Sequence, residues 1–454
     1  MLWWVKDHFF FWDTVQFAGK HGLYYFQHYC EVVLLPDDFD SGHIPIFGFY
    51  LASIWKIFGI SLPISHWAML PFILMIVFFT VQIANVFENR LLFTSLLILL
   101  LICDPTLLAQ MTLVSPDVFL MAFFTMTLYG FIAQKSYFRW IGLMGLGLIS
   151  IRGLMVVGAF FIFEFVNYDK RKLVQWRLWI PYFAVGLTVL TYALYHFLTR
   201  GWLGFHSDSP WYESFALVTL WDIPKHFITF WWRLLDFGRV GLWISVALVI
   251  ILKKMDIFSY FKKQDEKMKM LYTLALILVL VFLFNFILFK GVNAHRYLLP
   301  LIYVLTLIFF KFITEHGAAF AKKLLLFSLF MLLLGHFWIY PSRISQGWDA
   351  SLAHLPYYEL RNEMLDYLGH ENIAIENVGC QFPNLAERQY IDLRIGDTSH
   401  FSNAKIPSDE YILYSNIYND FIDNELEEIK NQYHPIKELS KGGIFLTLYK
   451  KNLQ

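Results

Sequence analysis

The chain has 454 residues, of which 57% are hydrophobic, 19% are aromatic and only 16% are charged. Because a typical soluble domain carries about 25% charged residues, this composition excludes an ordinary soluble globular protein and indicates a membrane protein. Basic and acidic residues balance, so the formal net charge is zero and gives no support to nucleic-acid binding.

The start of the chain has an acid in an unusual place. In "FFFWDTVQFAGKHG" (9–22), Asp13 follows four aromatic residues, a run that suits an aromatic belt at the membrane surface. On a helix beginning near Trp12, Asp13 would share a face with Phe17 and Lys20. Two interpretations are open: a functional carboxylate at the membrane surface, or a helix N-cap.

The next feature is an acidic loop, "LPDDFDSGHIP" (35–45). Asp38, Asp40 and His43 could bind a divalent cation through side-chain ligands, although the spacing does not match an EF-hand loop. Turn formation is an equally good explanation for Asp37 and Asp40.

Long apolar segments follow. Residues 44–59 are too short to be a secure span and are typical of a juxtamembrane helix lying in the interface. A spanning helix needs about 20 apolar residues, and the candidate segments are 64–86, 91–104, 118–134, 177–199, 239–253, 271–290, 299–313 and 323–340.

Lysine and arginine set the predicted orientation. They concentrate in four loops that we assign to the cytoplasmic side: 134–140, 167–177, 253–269 and 311–323. This assignment requires residues 140–166 to cross twice or not at all. We therefore predict two half-spanning helices that meet at Arg152 on the far side, which gives about ten crossings. The far side then receives residues 1–62, 104–117, 200–238, 291–298 and everything after 341.

From residue 341 the composition becomes that of a soluble domain. Residues 355–369 and 420–433 have helical patterns, and strands are predicted in "NIAIENV", "EYILYSNI" and "GIFLTLYK". The predicted fold is therefore an α-helical polytopic membrane region, residues 1–340 with a first external loop at 1–62, followed by a small extracytoplasmic α/β domain, residues 341–454.

Two further charged positions lie at predicted external helix ends. Asp117, in "SPDV", begins a helix, where an acid favours the positive end of the helix dipole; a role in a site is compatible with that position. Arg152, in "ISIRGL", is a lone guanidinium between two apolar helices and needs an anionic partner from the protein or from a ligand.

The segment "KGVNAHRYLLP" (290–300) adds Lys290, His295 and Arg296 at the external end of another crossing. Arginine forks match phosphate oxygens through paired hydrogen bonds, so these residues are candidates for binding a phosphate. The alternative for Arg296 is snorkelling to lipid headgroups.

Other known signals are absent from the sequence. It has no Gly-rich phosphate loop, zinc motif or serine-nucleophile elbow. The cysteines are far apart and lack metal-ligand spacing: Cys30, Cys103 and Cys380. Polar arrays inside the spans, which an ion pathway would need, are sparse.

The order of the motifs resembles that of the GT-C superfamily of polytopic glycosyltransferases, and more closely its bacterial members related to protein O-mannosyltransferases and the lipid A aminoarabinose transferase. The motifs are an acid in the first external segment, then "GHIPIFGFYLASIWKIFG", "AQMTLVSPD", "IRGL" and "HRYLLP". In that group, a stretch of the type "PPLYYWLLALFFKLFG" follows the acid, and later "TKGP"-like and "RYLLP"-like runs correspond to "SIRGL" and to residues 296–300. The likeness covers roughly residues 10–310.

The resemblance implies a glycosyltransferase that moves a sugar, with inversion, from a polyprenyl phosphate to an acceptor hydroxyl on the outer face. Asp13 would take the position of the general base. Arg152, Arg296, His295 and Lys290 would bind the donor phosphate. Positioning of the acceptor or of a cation would fall to Asp37, Asp38, Asp40, His43 and Asp117.

The resemblance also implies the surroundings of the reaction. The protein would lie in the bacterial inner (plasma) membrane, with its active site and C-terminal domain facing the periplasm or exterior. Its partners would be the polyprenyl-phosphate sugar, membrane lipid and a lipid, glycan or protein acceptor. No cofactor is implied with certainty; because metal dependence varies within the superfamily, the metal is unknown and a divalent cation stays open.

The chain departs from the family pattern in two ways. The family usually has a pair of acids where this chain has "WDT", so the second carboxylate is absent or comes from Asp37 or Asp38. The family also has a spanning helix before the catalytic loop, whereas residues 1–12 are too short to cross a membrane. We therefore expect a spanning helix to be missing before this start.

Two other functions fit parts of the sequence. A transporter or flippase for a lipid-linked glycan would explain Arg152 and the interrupted helix, but not the external domain or the acids gathered on one side. A non-catalytic membrane scaffold, whose tail binds a partner, would not need Asp13 at all.

Overall fold

Most of the described chain is helical, with a small sheet near the C-terminus. The computed structural model describes residues 1–29, 31–42, 44–167, 176–204, 206–208, 211–254, 264–341, 344–418 and 420–452. His43, one of the predicted cation ligands, lies outside the described residues, as does Cys30.

The helices follow the apolar pattern of the sequence closely. The α-helices are Leu2–Val5, His21–Gln27, Ile46–Phe58, Leu62–Ala68, Leu70–Phe87, Leu91–Ile102, Pro105–Thr112, Pro116–Ile132, Ser136–Ile149, Ile151–Asn167, Ile180–Arg200, Ile223–Leu235, Val240–Lys253, Glu266–Leu288, Leu299–His316, Ala321–Gly335, Pro356–His370, Arg388–Ile391 and Asp423–Gln432. A π-helix covers Val15–Lys20, and short 3-10 helices cover Trp176–Leu178, Glu213–Phe215, His295–Leu298, Ala318–Phe320, Trp348–Ala350, Leu352–His354 and Ile375–Asn377.

Fewer helices than predicted are long enough to cross a membrane. By length and composition, four in the described chain qualify: Leu62–Phe87, Ile180–Arg200, Glu266–Leu288 and His295–His316. Two bent pairs would raise the number to six: Leu91–Ile102 with Pro105–Thr112, bent by 62°, and Ile223–Leu235 with Val240–Lys253, bent by 84°. The structure therefore supports a membrane-embedded helical protein, and the ten crossings are not confirmed.

The interruption predicted near Arg152 is present. Helix Ser136–Ile149 ends and helix Ile151–Asn167 begins on either side of Ser150, whose backbone is extended. The Ser150 hydroxyl accepts a hydrogen bond from the Gly153 amide at 3.1 Å. The two helices pack against each other, so the chain reverses here instead of forming one long helix.

The C-terminal domain contains a five-stranded sheet in the order β2-β1-β3-β5-β4. The strands are β1 (Val378–Cys380), β2 (Ser402–Asn403), β3 (Tyr411–Ser415), β4 (Tyr433–Lys441) and β5 (Ile444–Lys451). β1 pairs in parallel with β2 and β3, whereas β5 is antiparallel to β3 and β4. Helix Pro356–His370 packs against β4 and β5, which confirms a small α/β unit.

Two details of the sheet differ from the sequence prediction. In "NIAIENV" (372–378), Ile375–Asn377 forms a 3-10 turn, and only the last residue, Val378, belongs to the short strand β1. β4 was not predicted, because "YHPIKELSK" is polar and contains Pro435. Both features are tolerated at the edge of a sheet, where β4 lies.

The aromatic run at residues 9–12 packs on the C-terminal domain. Phe9, Phe10 and Phe11 are 4%, 2% and 0% exposed. The Phe11 ring stacks on His354 with a centroid distance of 5.0 Å, and Phe9 contacts Tyr358 at 4.7 Å. The aromatic-belt interpretation of this run is therefore wrong; its rings join the start of the chain to the C-terminal domain.

Candidate functional site

Five charged side chains from distant parts of the sequence meet beside a cavity. We call them the open cluster: Asp13, Asp117, Arg152, Arg296 and Asp349. Each lies at or near the end of a helical element, where loops converge. Three carboxylates and two guanidinium groups give the cluster a formal charge of −1.

Arg296 is the centre of the open cluster. Its guanidinium donates to the carboxylates of Asp13 and Asp349, and its Nε lies 3.6 Å from Asp117 Oδ2. The Arg296 side chain is 7% exposed. A buried guanidinium needs such partners because an unpaired charge in the interior is costly.

Arg152 holds the other side of Asp117. Its Nη1 and Nη2 both donate to the Asp117 carboxylate, the latter at 3.3 Å. The ring of Tyr297 lies beneath both guanidinium groups, with its centroid 4.5 Å from Arg152 Cζ and 5.2 Å from Arg296 Cζ. Cation–π contacts of this kind help to hold two like charges in one place.

The backbone on both sides of Asp13 is constrained. Trp12 has a φ of +58°, a left-handed conformation that is costly for a large side chain and is often found at functional sites. The N-cap position of the following π-helix is Thr14, whose hydroxyl donates to the Phe11 carbonyl at 2.7 Å. The Asp13 carboxylate is thus not used as a cap and contacts Arg296.

Asp13 lines two larger cavities, besides a small space that it shares with Arg296. The first, which we call the apolar cavity, has a volume of about 220 Å³ and also exposes Arg152 and Tyr297. Its other walls are mostly apolar and come from Phe17, Ser41, Pro116, Ser150, Ile151, Met155, Trp211, Phe215, Asn285, Phe289 and Val292. The cavity therefore combines a mainly apolar lining with one carboxylate and one guanidinium.

The second, which we call the aromatic cavity, has a volume of about 370 Å³. It lies between the π-helix and the soluble domain and is lined by Trp12, Asp13, Val15, Gln16, Lys20, Trp211, Ser214, Phe382, Pro383, Leu385 and Ala386. Burial lowers the pKa of Lys20, and the nearby carboxylates of Asp38 and Glu387 oppose that shift. Asp13 and Trp211 line both cavities, so the two meet at the Asp13 carboxylate.

The acidic loop of the first segment lies elsewhere. Asp40 is fully buried and accepts from the Gly42 amide at 2.7 Å, and its Oδ2 lies 3.1 Å from His196 Nε2. Asp37 accepts from the Trp202 indole at 3.2 Å, and Asp38 is exposed. None of the three lines either cavity, so the structure does not bring them to Asp13.

The four predicted phosphate-binding residues also do not lie together at one cavity. Arg152 lines the apolar cavity, whereas Arg296 lies behind Asp13 and reaches only a small adjoining space of about 10 Å³. His295 is fully buried, 2.6 Å from Asp236, and lines neither cavity. Lys290 is exposed and also lines neither.

A second group of charges, the closed cluster, lies next to the open one without reaching either cavity: Asp104, Arg233, Asp236, Arg239 and His295. Arg239 donates twice to Asp104, at 2.7 and 2.8 Å, and once to the Thr106 hydroxyl at 2.6 Å. Asp104 and Arg239 lie at the breaks of the two bent helix pairs, so this ion pair joins the two breaks.

Asp349 is the most important residue that the sequence reasoning missed. It lies at the start of the soluble domain, where its backbone carbonyl accepts from Gln110 at 2.9 Å and the next carbonyl accepts from Thr106 at 3.1 Å. The available signal was an acid within the apolar stretch "GWDASLAHL". Only the folded chain shows that it meets Arg296.

Comparison with other proteins identifies no relative. No known family, characterised protein or solved structure matches this chain. Within the described residues, no group of three or more metal-ligating side chains could hold a metal ion. The chemistry of the site therefore has to be argued from its own residues.

Proposed function

We propose that this protein is a membrane glycosyltransferase that moves a sugar from a polyprenyl phosphate to an acceptor hydroxyl. The observation that carries the proposal is the position of Asp13, a 25% exposed carboxylate where the apolar cavity meets the aromatic cavity, whose walls also carry Gln16, Lys20 and Ser214. A lipid-linked donor and a hydrophilic acceptor need two such entrances to one reacting centre. The resemblance to the GT-C superfamily supports the same reaction.

The proposed step uses Asp13 as the general base. The acceptor hydroxyl oxygen attacks the anomeric carbon of the donor, and its proton passes to the Asp13 carboxylate. The bond between that carbon and the phosphate oxygen breaks, and its electron pair leaves with the phosphate. Attack from the face opposite the phosphate inverts the anomeric centre.

Arg152 is the proposed ligand of the leaving phosphate. It is the guanidinium that lines the apolar cavity together with Asp13, and a fixed cation stabilises the charge that develops on the leaving group. Arg296 takes a different role from the one expected from the sequence. Because it contacts three carboxylates, we propose that it orients Asp13.

The test is transfer of labelled sugar from a panel of polyprenyl-phosphate donors in membranes containing the wild type or Asp13→Asn. Losing the base should lower the rate by about 10²–10⁴-fold. Asp7→Asn is the matched control, since Asp7 is exposed and pairs with Lys6 at 2.9 Å; it should retain activity. Consumption of no donor by the wild type would overturn the proposal, and full activity of Asp13→Asn would remove Asp13 from it.

A transporter of the same lipid-linked sugar is the second candidate. The two bent helix pairs, joined at their breaks by Arg239 and Asp104, favour it, because transporters often build their sites at broken helices. Neither residue of that pair lines the cavities at Asp13, so we rank transfer first. Proteoliposomes with a fluorescent polyprenyl-phosphate sugar separate the two: movement without cleavage, unchanged by Asp13→Asn, would indicate transport.

A further inference from the structure

The walls of the aromatic cavity are suited to one class of molecule. The indole of Trp12 packs edge-on against Phe382 at 4.7 Å, and that of Trp211 stacks on Phe17 at 4.8 Å. Both indoles are half-buried, so each ring is held by a neighbour while still lining the cavity. Rigid aromatic surfaces of this kind provide contact area at low entropic cost.

Polar groups lie between these rings. Asp13, Gln16, Lys20 and Ser214 line the same space. The Lys20 ammonium lies 5.3 Å from the ring centroid of Phe39, and within the described chain no carboxylate forms an ion pair with it at 4 Å or less. A half-buried ammonium without an ion-pair partner has N–H donors that can bind a ligand.

These two features together point to a sugar ring. A pyranose has C–H faces that pack on indole rings and a rim of hydroxyls that can bond to a carboxylate, an ammonium and an amide. An acyl chain would leave the ammonium without a polar contact, and an extended peptide would need a sheet edge or a groove with backbone partners. The segment 382–386 forms a wall instead, and it belongs to none of the strands.

We infer that the aromatic cavity is the acceptor site and that the acceptor is a saccharide. The inference rests on the proposed transfer reaction and narrows the acceptor from lipid, glycan or protein to a glycan. A hydroxyl of the bound saccharide lies at Asp13, loses its proton to that carboxylate and forms the new glycosidic bond. The segment 382–386 closes the site, so the soluble domain takes part in selecting the acceptor.

The test measures binding without relying on activity. The full-length protein in detergent is acetylated with an amine-reactive ester, and labelling of Lys20 is followed by mass spectrometry. The competitors are neutral and uronic-acid disaccharides, a serine- and threonine-rich octapeptide, and detergent-dispersed phospholipid. We expect at least one disaccharide to slow Lys20 labelling severalfold, whereas labelling of the exposed Lys290 in the same sample stays constant.

Two variants and one control localise the effect. Phe382→Leu and Trp211→Leu each remove an aromatic wall and should abolish the protection of Lys20. Trp221→Leu is the control, because Trp221 is 94% exposed and lines neither cavity; it should retain full protection. Equal protection in all three variants would overturn the assignment of this cavity.

The outcomes separate this inference from the proposed reaction. Protection by the peptide or the phospholipid, and by no saccharide of the panel, would overturn the inference, as would no protection at all. Protection by a saccharide together with no donor consumption would keep the saccharide site and overturn the transferase. If both stand, Phe382→Leu should raise the KM for the acceptor about tenfold while the KM for the donor stays near the wild-type value.

Discussion

The open and closed clusters are both built mainly from Asp and Arg side chains, but they differ in their access to a cavity. In the open cluster, Asp13 and Arg152 are 25% and 18% exposed and line a cavity. In the closed cluster, the Asp236 and His295 side chains are 0% exposed, and no member reaches the cavities at Asp13. Access to a cavity, and not the presence of charge, therefore distinguishes residues available for chemistry from residues that hold helices together.

The largest effect should come from breaking the closed cluster. Arg239→Leu leaves the Asp104 carboxylate buried without its guanidinium partner, and such a change typically costs about 3–5 kcal/mol of folding free energy. Thermal or denaturant unfolding in detergent measures it. The Asp104 side chain also caps helix Pro105–Thr112 by accepting from the Thr106 and Leu107 amides. The double variant Asp104→Asn with Arg239→Leu removes both charges, keeps a side-chain oxygen at the cap and should recover part of that loss.

Arg152→Leu gives the comparison within the open cluster. Because Arg152 is more exposed than Arg239, whose side chain is 3% exposed, water can solvate the carboxylate left behind. Its loss of stability should be clearly smaller than that of Arg239→Leu. Equal losses would mean that the two clusters do not differ as we describe.

Acid should weaken the contact that brings the soluble domain to the open cluster. Burial lowers the pKa of His354 from its ordinary 6.5 to about 4, and it lowers that of His8 to about 4 as well. Both rings pack in the interface between the aromatic run and the domain. The unfolded chain binds these protons first, so the stability from neutral His354, present above pH 6.5, is lost as the pH falls toward 4, by about 3 kcal/mol.

Hydrogen exchange of the peptide around residues 8–14 measures this loosening between pH 7 and 4. The exchange rate should rise as the pH falls, after correction for intrinsic exchange. His354→Gln cannot take up the proton, so its pH dependence should be weaker. Identical pH dependence in the variant would show that His354 does not control the interface.

A smaller effect should come from the close approach of Gly19 to the soluble domain. A Cβ at this position would lie 2.2 Å from the Tyr390 carbonyl oxygen, so Gly19→Ala must push the π-helix away from residues 388–391. We expect a cost of about 1–3 kcal/mol and a fall in activity, because Asp13 precedes that helix. Gly186→Ala is the control, since a Cβ there meets nothing within 4 Å; its stability should not fall.

The sequence predicts the local elements well and the long-range contacts poorly. The apolar pattern predicted a helix within residues 44–59, which is found at Ile46–Phe58, and the positions of Lys and Arg predicted a break near Arg152, which is found at Ser150. Residues 104–117 and 200–238 were predicted to be external loops, and the helices Pro105–Thr112 and Ile223–Leu235 within them were not predicted. Each continues from a neighbouring apolar helix through a bend of 62° or 84°, and these bends depend on tertiary packing at Asp104 and Asp236–Arg239. As a result, the described chain has fewer helices of membrane-spanning length than the apolar segments predicted.

The site shows the same division. Asp13, Asp117, Arg152 and Arg296 were predicted as polar exceptions in apolar surroundings, and the fold brings them together. The sequence did not show which partner each of these side chains contacts. His295 is next to Arg296 in the chain, yet it turns to Asp236, because neighbours in a 3-10 turn point in different directions.

The smallest effect concerns Lys290, which was grouped with Arg152 as a donor-phosphate ligand. Because its exposed side chain lines neither cavity, Lys290→Ala should change the KM for the donor by less than about twofold, as expected for a solvent-screened charge. Arg152→Ala, which removes the cation of the apolar cavity, should raise that KM at least about tenfold. Donor titrations on the two variants measure both values. A larger effect of Lys290→Ala than of Arg152→Ala would place the phosphate outside the apolar cavity. It would also show that access to this cavity does not distinguish the residues that bind the donor from other surface residues.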